Sequence, residues 1–180
     1  DRDLEVGSGS HSIQTAEIMR RFEPVLDEVQ PSAILVVGDV NSTIACALVA
    51  TKKGIPVIHV EAGLRSYDRE MPEDVKRVLT DQISDLLFTT EASAKDNLLR
   101  EGIDQQRIHF VGNVMIDTLI NHKARAVSAQ KTIQTKLGAE IVDVCSNGYV
   151  VLTMHRPSNV DDPVILERLI KVVAEISELI

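Results

Sequence analysis

The sequence has no tryptophan, and aromatic side chains make up only 3% of it. A chain of 180 residues that is 44% hydrophobic must therefore build an aliphatic core, and it is long enough to bury a sizeable one. Cysteine is scarce too: Cys46 and Cys145 lie far apart, with no second ligand-spaced pair. They read as free thiols in a reducing compartment, with Cys46 a small core residue. No apolar run approaches the ~20 residues of a membrane span. The opening DRDLEV has neither an apolar nor a basic targeting region, so the expectation is a cytoplasmic protein with no membrane partner. Basic residues are outnumbered, 19 to 27, giving a formal net charge of −8. That balance argues against a nucleic-acid partner, although a local basic site for an anionic ligand remains compatible with it. There is no Gly-x-Gly-x-x-Gly, no P-loop and no His-Glu-x-x-His. The residues thus call for no cofactor and no metal.

What is present is organised around residues 33–77. An apolar run, 33–37, ends in Gly38-Asp39. A helical run follows, opened by Asn41-Ser42-Thr43 and closed by Lys52-Lys53-Gly54. A second apolar run, 55–60, ends in Glu61-Ala62-Gly63. Strand, helix and strand in this length make a βαβ unit, with parallel strands and a right-handed crossover. Asp39 and Glu61 then stand just past the carboxyl ends of two strands, the edge where open α/β sheets bind ligands. Glu73 follows Pro72 at the start of the next helical pattern.

Around this unit the spacing predicts a helix over 12–29, interrupted by a kink at Pro24. It predicts a helix over 72–84 with Val75, Val78, Leu79 and Ile83 on its apolar face. A strand at 86–89, a helix at 91–100 stopped by Gly102, and a strand at 107–111 follow. The alternation is that of a doubly wound parallel α/β sheet. Residues 121–147 are more polar and suit one amphipathic helix. A further strand is expected at 149–154, leading to His155 and Arg156, then a long helix capped by Asp162-Pro163. The organisation expected is residues 1–118 as part of an N-terminal Rossmann-like domain, and 119–180 as linker and start of a C-terminal one. One strand and one helix do not make a stable domain, so the sequence reads as part of a longer one.

Carboxylates crowded at a desolvated edge raise one another's pKa and suit general acid/base work. Singly, each has a plainer reading: an acid before a helix is usually a cap or a partner of the helix dipole. His155 beside Arg156 at a strand end can neutralise phosphates. His59, Glu61 and His155 are a competing metal reading, because His59 and Glu61 are two apart on a strand. Two ligands do not make a site, however.

At His59-Val60-Glu61-Ala62-Gly63-Leu64-Arg65 the sequence resembles the non-hydrolysing UDP-N-acetylglucosamine 2-epimerases. The resemblance continues through Met71-Pro72-Glu73-Asp74, Arg77, Leu79-Thr80-Asp81, residues 97–102, residues 111–117 and Thr153-Met154-His155-Arg156. Val37-Gly38-Asp39 fits ahead of it. The sequence departs from the family's pattern at Asp74 and Lys76, where Glu and Asn are usual, and at Pro157-Ser158.

The resemblance implies two Rossmann-like domains in a GT-B-like architecture, with the nucleotide sugar between them. It implies interconversion of UDP-N-acetylglucosamine and UDP-N-acetylmannosamine by anti elimination of UDP to 2-acetamidoglucal and re-addition. Carried over, Asp39, Glu61, Glu73 and His155 are the catalytic positions. Asp39, Glu61 and His155, with Arg65, Asn113 and Arg156, are the substrate-binding ones. A homodimer serving cell-envelope polysaccharide synthesis is also implied. The family's Gly-Thr-Arg-Pro-Glu loop and Ser-Gly-Gly segment are not in these 180 residues, so the segment alone should be inactive. Alternatives are a 2-epimerase of another UDP-2-acetamido (6-deoxy) sugar, a hydrolysing relative, or a non-catalytic nucleotide-sugar-binding module.

Overall fold

The computed structural model describes residues 2–137, 149–154 and 156–178. The chain divides into two compact units, Asp1–Ala124 and Arg125–Ile180.

The first unit opens with helix α1, His11–Val29, whose N-cap Ser10 accepts from the Ile13 amide. The helix runs on through Pro24. The carbonyl that loses its donor there belongs to Arg20, on the exposed face, where water can replace the missing bond. Gln30, in the left-handed region, ends the helix by donating to the Leu26 carbonyl. Strand β1, Ile34–Val37, follows, then α2, Asn41–Lys52, and strand β2, Val57–Val60. β2 is shorter than the apolar run that predicts it. Pro56 has no amide to give a ladder, and the Ile55 amide bonds to the Ala50 carbonyl. Next come α3, Pro72–Ile83; β3, Leu86–Thr89; α4, Ala92–Arg100; a short 3-10 turn, Gln105–Arg107; β4, Ile108–Phe110; and α5, Val114–Lys123.

The strands form one parallel sheet in the order β1-β2-β3-β4. Val37 pairs with Val60 and Thr89 with Phe110, so the carboxyl ends lie along one edge. The aliphatic core lies between sheet and helices. One cluster joins Leu26, Val36, Ala47, Val49, Ala50 and Val57, with Cys46 packed against it. Another joins Ala62, Leu87, Leu98, Ile103 and Ile108. α2, apolar nearly all round, is accordingly flanked by both α1 and α3.

The inward face of α3 differs from the expected apolar stripe. Leu79 is 52% exposed, while Asp74, Thr80 and Asp81 are buried. The loop behind β2 presents amides that need acceptors, and these side chains supply them.

The second unit begins within 121–147, the stretch expected to hold one amphipathic helix, of which residues 138–147 lie outside the described residues. α5 starts earlier, in the first unit, and α6 is Ala129–Leu137. Residues 149–154 form no strand. A parallel strand exists only as one side of a ladder, and the described residues of this unit are otherwise helical or irregular. A short helix, α7, Pro157–Val160, precedes α8, Pro163–Ser177. Asp162 caps α8 as predicted, accepting from the Val164 and Ile165 amides. Among the described residues, no helix is long and apolar enough to cross a membrane.

Candidate active site

Turns leaving the strands are bonded sideways to their neighbours along the carboxyl edge. The Gly38 amide donates to the Val60 carbonyl at 3.0 Å, and the Ala62 amide to the Phe88 carbonyl at 3.1 Å. On the far side the Val111 amide donates to the Thr89 carbonyl at 3.0 Å. The expected acids stand on this edge.

Asp39 leaves β1 and meets Arg77 of α3, whose Nη2 donates to its Oδ2 at 2.5 Å. Both side chains are largely enclosed, at 23% and 14% exposed. Arg77 Nε has no partner among the described residues.

Glu61 leaves β2 with φ of 68°, in the left-handed region. A residue with a Cβ pays about 1–2 kcal/mol for that conformation. Such outliers persist where surrounding bonds over-determine them, often at functional sites. Here the Ala62 amide bond and the Gly63 amide, which donates to Asp81 Oδ2 at 3.1 Å, hold the turn. Glu61 Oε2 lies over Gly38, 3.4 Å from where a Cβ would stand there. The two acids thus leave adjacent strands with their turns in contact.

Glu73 lies in the first turn of α3. Its own backbone amide holds its carboxyl below the usual carboxylate value against partial burial, with further help from Lys76 and His11. Lys76 Nζ lies 3.4 Å from Glu73 Oε1 and 3.4 Å from Asn41 Oδ1. His11 Nδ1 also donates to that Asn41 oxygen, at 3.2 Å. The loop between Glu61 and Glu73 is fixed by Asp74, which accepts from the Ser66 amide at 2.8 Å. Tyr67 anchors it further by donating to Asn97 at 2.6 Å.

The remaining predicted residues fall in different places. Arg65 is inside the first unit, its side chain 2% exposed. Its Nε and Nη2 donate to both Glu101 carboxylate oxygens, its Nη2 also to Asp81, and its Nη1 to the Leu64 carbonyl. Burial works against its charge, but Glu101 and Asp81 hold its pKa raised. Asn113 sits at the same sheet edge, beyond β4, and caps α5 by accepting from the Met115 amide at 2.9 Å. Arg156 belongs to the second unit and is exposed, its carbonyl accepting from the Asn159 amide. His155 lies outside the described residues.

The metal reading of His59 with Glu61 does not survive the geometry. Glu61 is beyond the strand end, and both ring nitrogens of buried His59 are occupied, by Asp81 at 2.7 Å and the Gly38 carbonyl at 2.8 Å. Sequence reasoning gave no role to Asp81, Arg77 or His11. The signal for Asp81 and Arg77 was their place among the motif positions of the resemblance, Arg77 and Leu79-Thr80-Asp81.

The arrangement offers one carboxylate paired with a guanidinium, one on a strained turn, and one ionised at a helix start. Carboxylates are groups able to take up and release protons.

Comparison with known proteins gives the same direction. The sequence profile described as UDP-N-acetylglucosamine 2-epimerase matches residues 1–179. The UDP-N-acetylglucosamine 2-epimerase of Methanococcus maripaludis is 42% identical over 178 residues, covering 99% of this chain and 48% of that protein. The UDP-2,3-diacetamido-2,3-dideoxy-D-glucuronate 2-epimerase of Pseudomonas aeruginosa is 39% identical over 178 residues, covering 98% of this chain and 47% of that protein. The crystal structure of the Methanocaldococcus jannaschii UDP-GlcNAc 2-epimerase with UDP-GlcNAc and UDP superimposes with a TM-score of 0.84 at 40% identity. That match covers 98% of this chain and 47% of that one. The chain spans about half the length of the curated relatives it matches.

Proposed function

This chain belongs to the UDP-N-acetylglucosamine 2-epimerase family, and from that premise we propose that the whole protein interconverts UDP-N-acetylglucosamine and UDP-N-acetylmannosamine without hydrolysis. The observation that carries this reading is the pairing of Asp39 and Glu61 on adjacent strand ends, with Glu73 at the start of α3. In the proposed reaction a carboxylate removes the C2 proton as the C1–O bond breaks. UDP leaves, and 2-acetamidoglucal remains. UDP then adds back at C1 while a second acid delivers a proton to the opposite face of C2. Inverting one carbon in this way requires proton-transfer groups on both faces, which explains why one acid would not suffice. Departing diphosphate requires cationic donors, a role that falls to His155 and Arg156. Asn113 orients substrate from the far end of the edge, and Arg65 fixes the turn that bears Glu61. The reading includes a cytoplasmic homodimer, and an isolated 180-residue segment with little or no turnover.

A second reading is favoured by Lys76, an ammonium beside Glu73, and by the Pseudomonas relative's name: the sugar carries a carboxylate. Both readings share the C2 chemistry.

The test is to incubate the full-length protein with UDP-N-acetylglucosamine, and separately with a UDP-2-acetamido uronate, in deuterated water. Deuterium at C2 together with the manno epimer supports the proposal and identifies the sugar. Binding with C2 fully protonated sinks it in favour of a binding module, and release of free N-acetylmannosamine sinks it in favour of hydrolysis.

A further inference from the structure

His59 is fully buried on β2. Its Nε2 lies 2.8 Å from the Gly38 carbonyl oxygen, which can only accept, so Nε2 carries a proton. Its Nδ1 lies 2.7 Å from Asp81 Oδ1. The other Asp81 oxygen already accepts from the Gly63 amide at 3.1 Å and from Arg65 Nη2 at 2.7 Å. Oδ2 thus has two donors, one of them a guanidinium that favours the ionised carboxylate, and the proton in the Nδ1–Oδ1 bond is assigned to the ring, so that Nδ1 donates to Oδ1. A neutral imidazole has a single N–H. Two donations require two protons on the ring.

We propose that His59 is held as a buried imidazolium by Asp81, and that this pair positions the turns bearing Asp39 and Glu61. The positioning role rests on the epimerase reading; the ring's protonation does not. The charge is balanced locally. Arg65 and the partly exposed Glu101 form the adjoining ion pair, so the quartet holds two cations and two anions. Balance matters, because an unpaired buried charge is strongly destabilising. The ring's Nε2–H fixes the carbonyl of Gly38, and with it the peptide that leads to Asp39. The second Asp81 oxygen fixes the amide of Gly63, two residues after Glu61. One carboxylate therefore holds both exit turns, through a different oxygen for each. The imidazolium also places a permanent positive charge under the edge where Asp39, with Arg77 opposite, and Glu61 stand.

The experiment uses the full-length protein labelled with nitrogen-15 in histidine, with His59 assigned by loss of its signals in His59→Gln. Two protonated ring nitrogens are expected for His59, where a neutral imidazole shows one. A single protonated nitrogen for His59 overturns the proposal. This reading needs no turnover, so it stands apart from the fate of the epimerase assignment. In Asp81→Asn the ring should fall to one proton. By the sensitivity of catalysis to small misplacements, kcat should drop about tenfold to a hundredfold, with KM within about twofold. Unchanged kcat, or a change confined to KM, overturns the positioning role. If Asp81→Asn does not fold, His59→Gln serves instead: its amide can donate to Gly38 but carries no charge, and the same kcat loss is expected.

Discussion

Arg77 and Asp39 meet at 2.5 Å across 38 positions of sequence, joining the start of the crossover after β1 to the middle of α3. Replacing Arg77 with Met leaves Asp39 enclosed without its cation. Losing one partner of a charged, partly buried hydrogen bond costs about 1–3 kcal/mol. Urea denaturation of Arg77→Met should show a loss in that range. An unchanged midpoint would mean that solvent already satisfies Asp39.

Gly63 is fixed by space as well as by backbone. Its φ is 78°, and a Cβ there would stand 2.5 Å from the Ala94 carbonyl oxygen and 2.9 Å from Leu98 Cγ. Neither backbone nor buried leucine can withdraw cheaply. Gly63→Ala should therefore destabilise by about 2–5 kcal/mol, from left-handed strain and overpacking together. A thermal melt within a degree or two of the parent's would contradict this account.

Glu61 pays for its position in stability. Asn adopts the left-handed region more readily than Glu does. Glu61→Asn is expected to raise stability by about 0.5–1 kcal/mol while abolishing C2 exchange, a trade seen where active sites hold strain. A variant less stable than the parent would place the turn's strain elsewhere.

Glu73 should titrate below 4.5, held down first by its own amide and then by Lys76. A lowered folded pKa gives stability that is present above the unfolded value and lost as pH falls through the folded one. Lys76→Met should therefore move the Glu73 titration upward, seen by carbon-13 NMR of its carboxyl. It should also move the acid limb of the pH–rate profile the same way. The displacement is partial, because the amide remains. A titration that does not move removes Lys76 from the account.

Cys46 lies against the first core cluster, and burial pushes its thiol up to about 11. Thiolate is the reactive form. Iodoacetamide at mildly alkaline pH should leave Cys46 unlabelled in native protein and label it after denaturation, as read by peptide mapping. Labelling in the native state would show that the α2 face opens.

The parallel sheet was legible because its strands are short apolar runs closed by turn residues, and β3 occupies the predicted positions 86–89. The acids were legible because strand ends are marked by Gly38-Asp39 and Glu61-Ala62-Gly63. The buried polar layer was not. Asp81 meets His59 across 22 positions, and that meeting depends on how α3 rotates over β2. Apolar spacing put Leu79 inward, but the amides of the 61–66 turn and loop drew Asp74 and Asp81 there instead. The run at 149–154 misled for a related reason. Valine-rich composition states a preference for strand, and only a neighbour can turn it into one.

The sideways bonds along the carboxyl edge make the sheet a ruler. Asp39 and Glu61 leave neighbouring strands whose spacing, about 4.8 Å, is a constant of β-structure. Their separation is thus set by strand register, and the helices that cross between strands do not enter into it. The Gly38–Val60 and Ala62–Phe88 bonds tie each exit to the next strand. Lengthening or trimming the far turn of α2, around Gly54, should then leave the acids' aim unaltered. A one-residue slip of β2 against β1 would misdirect both acids at once.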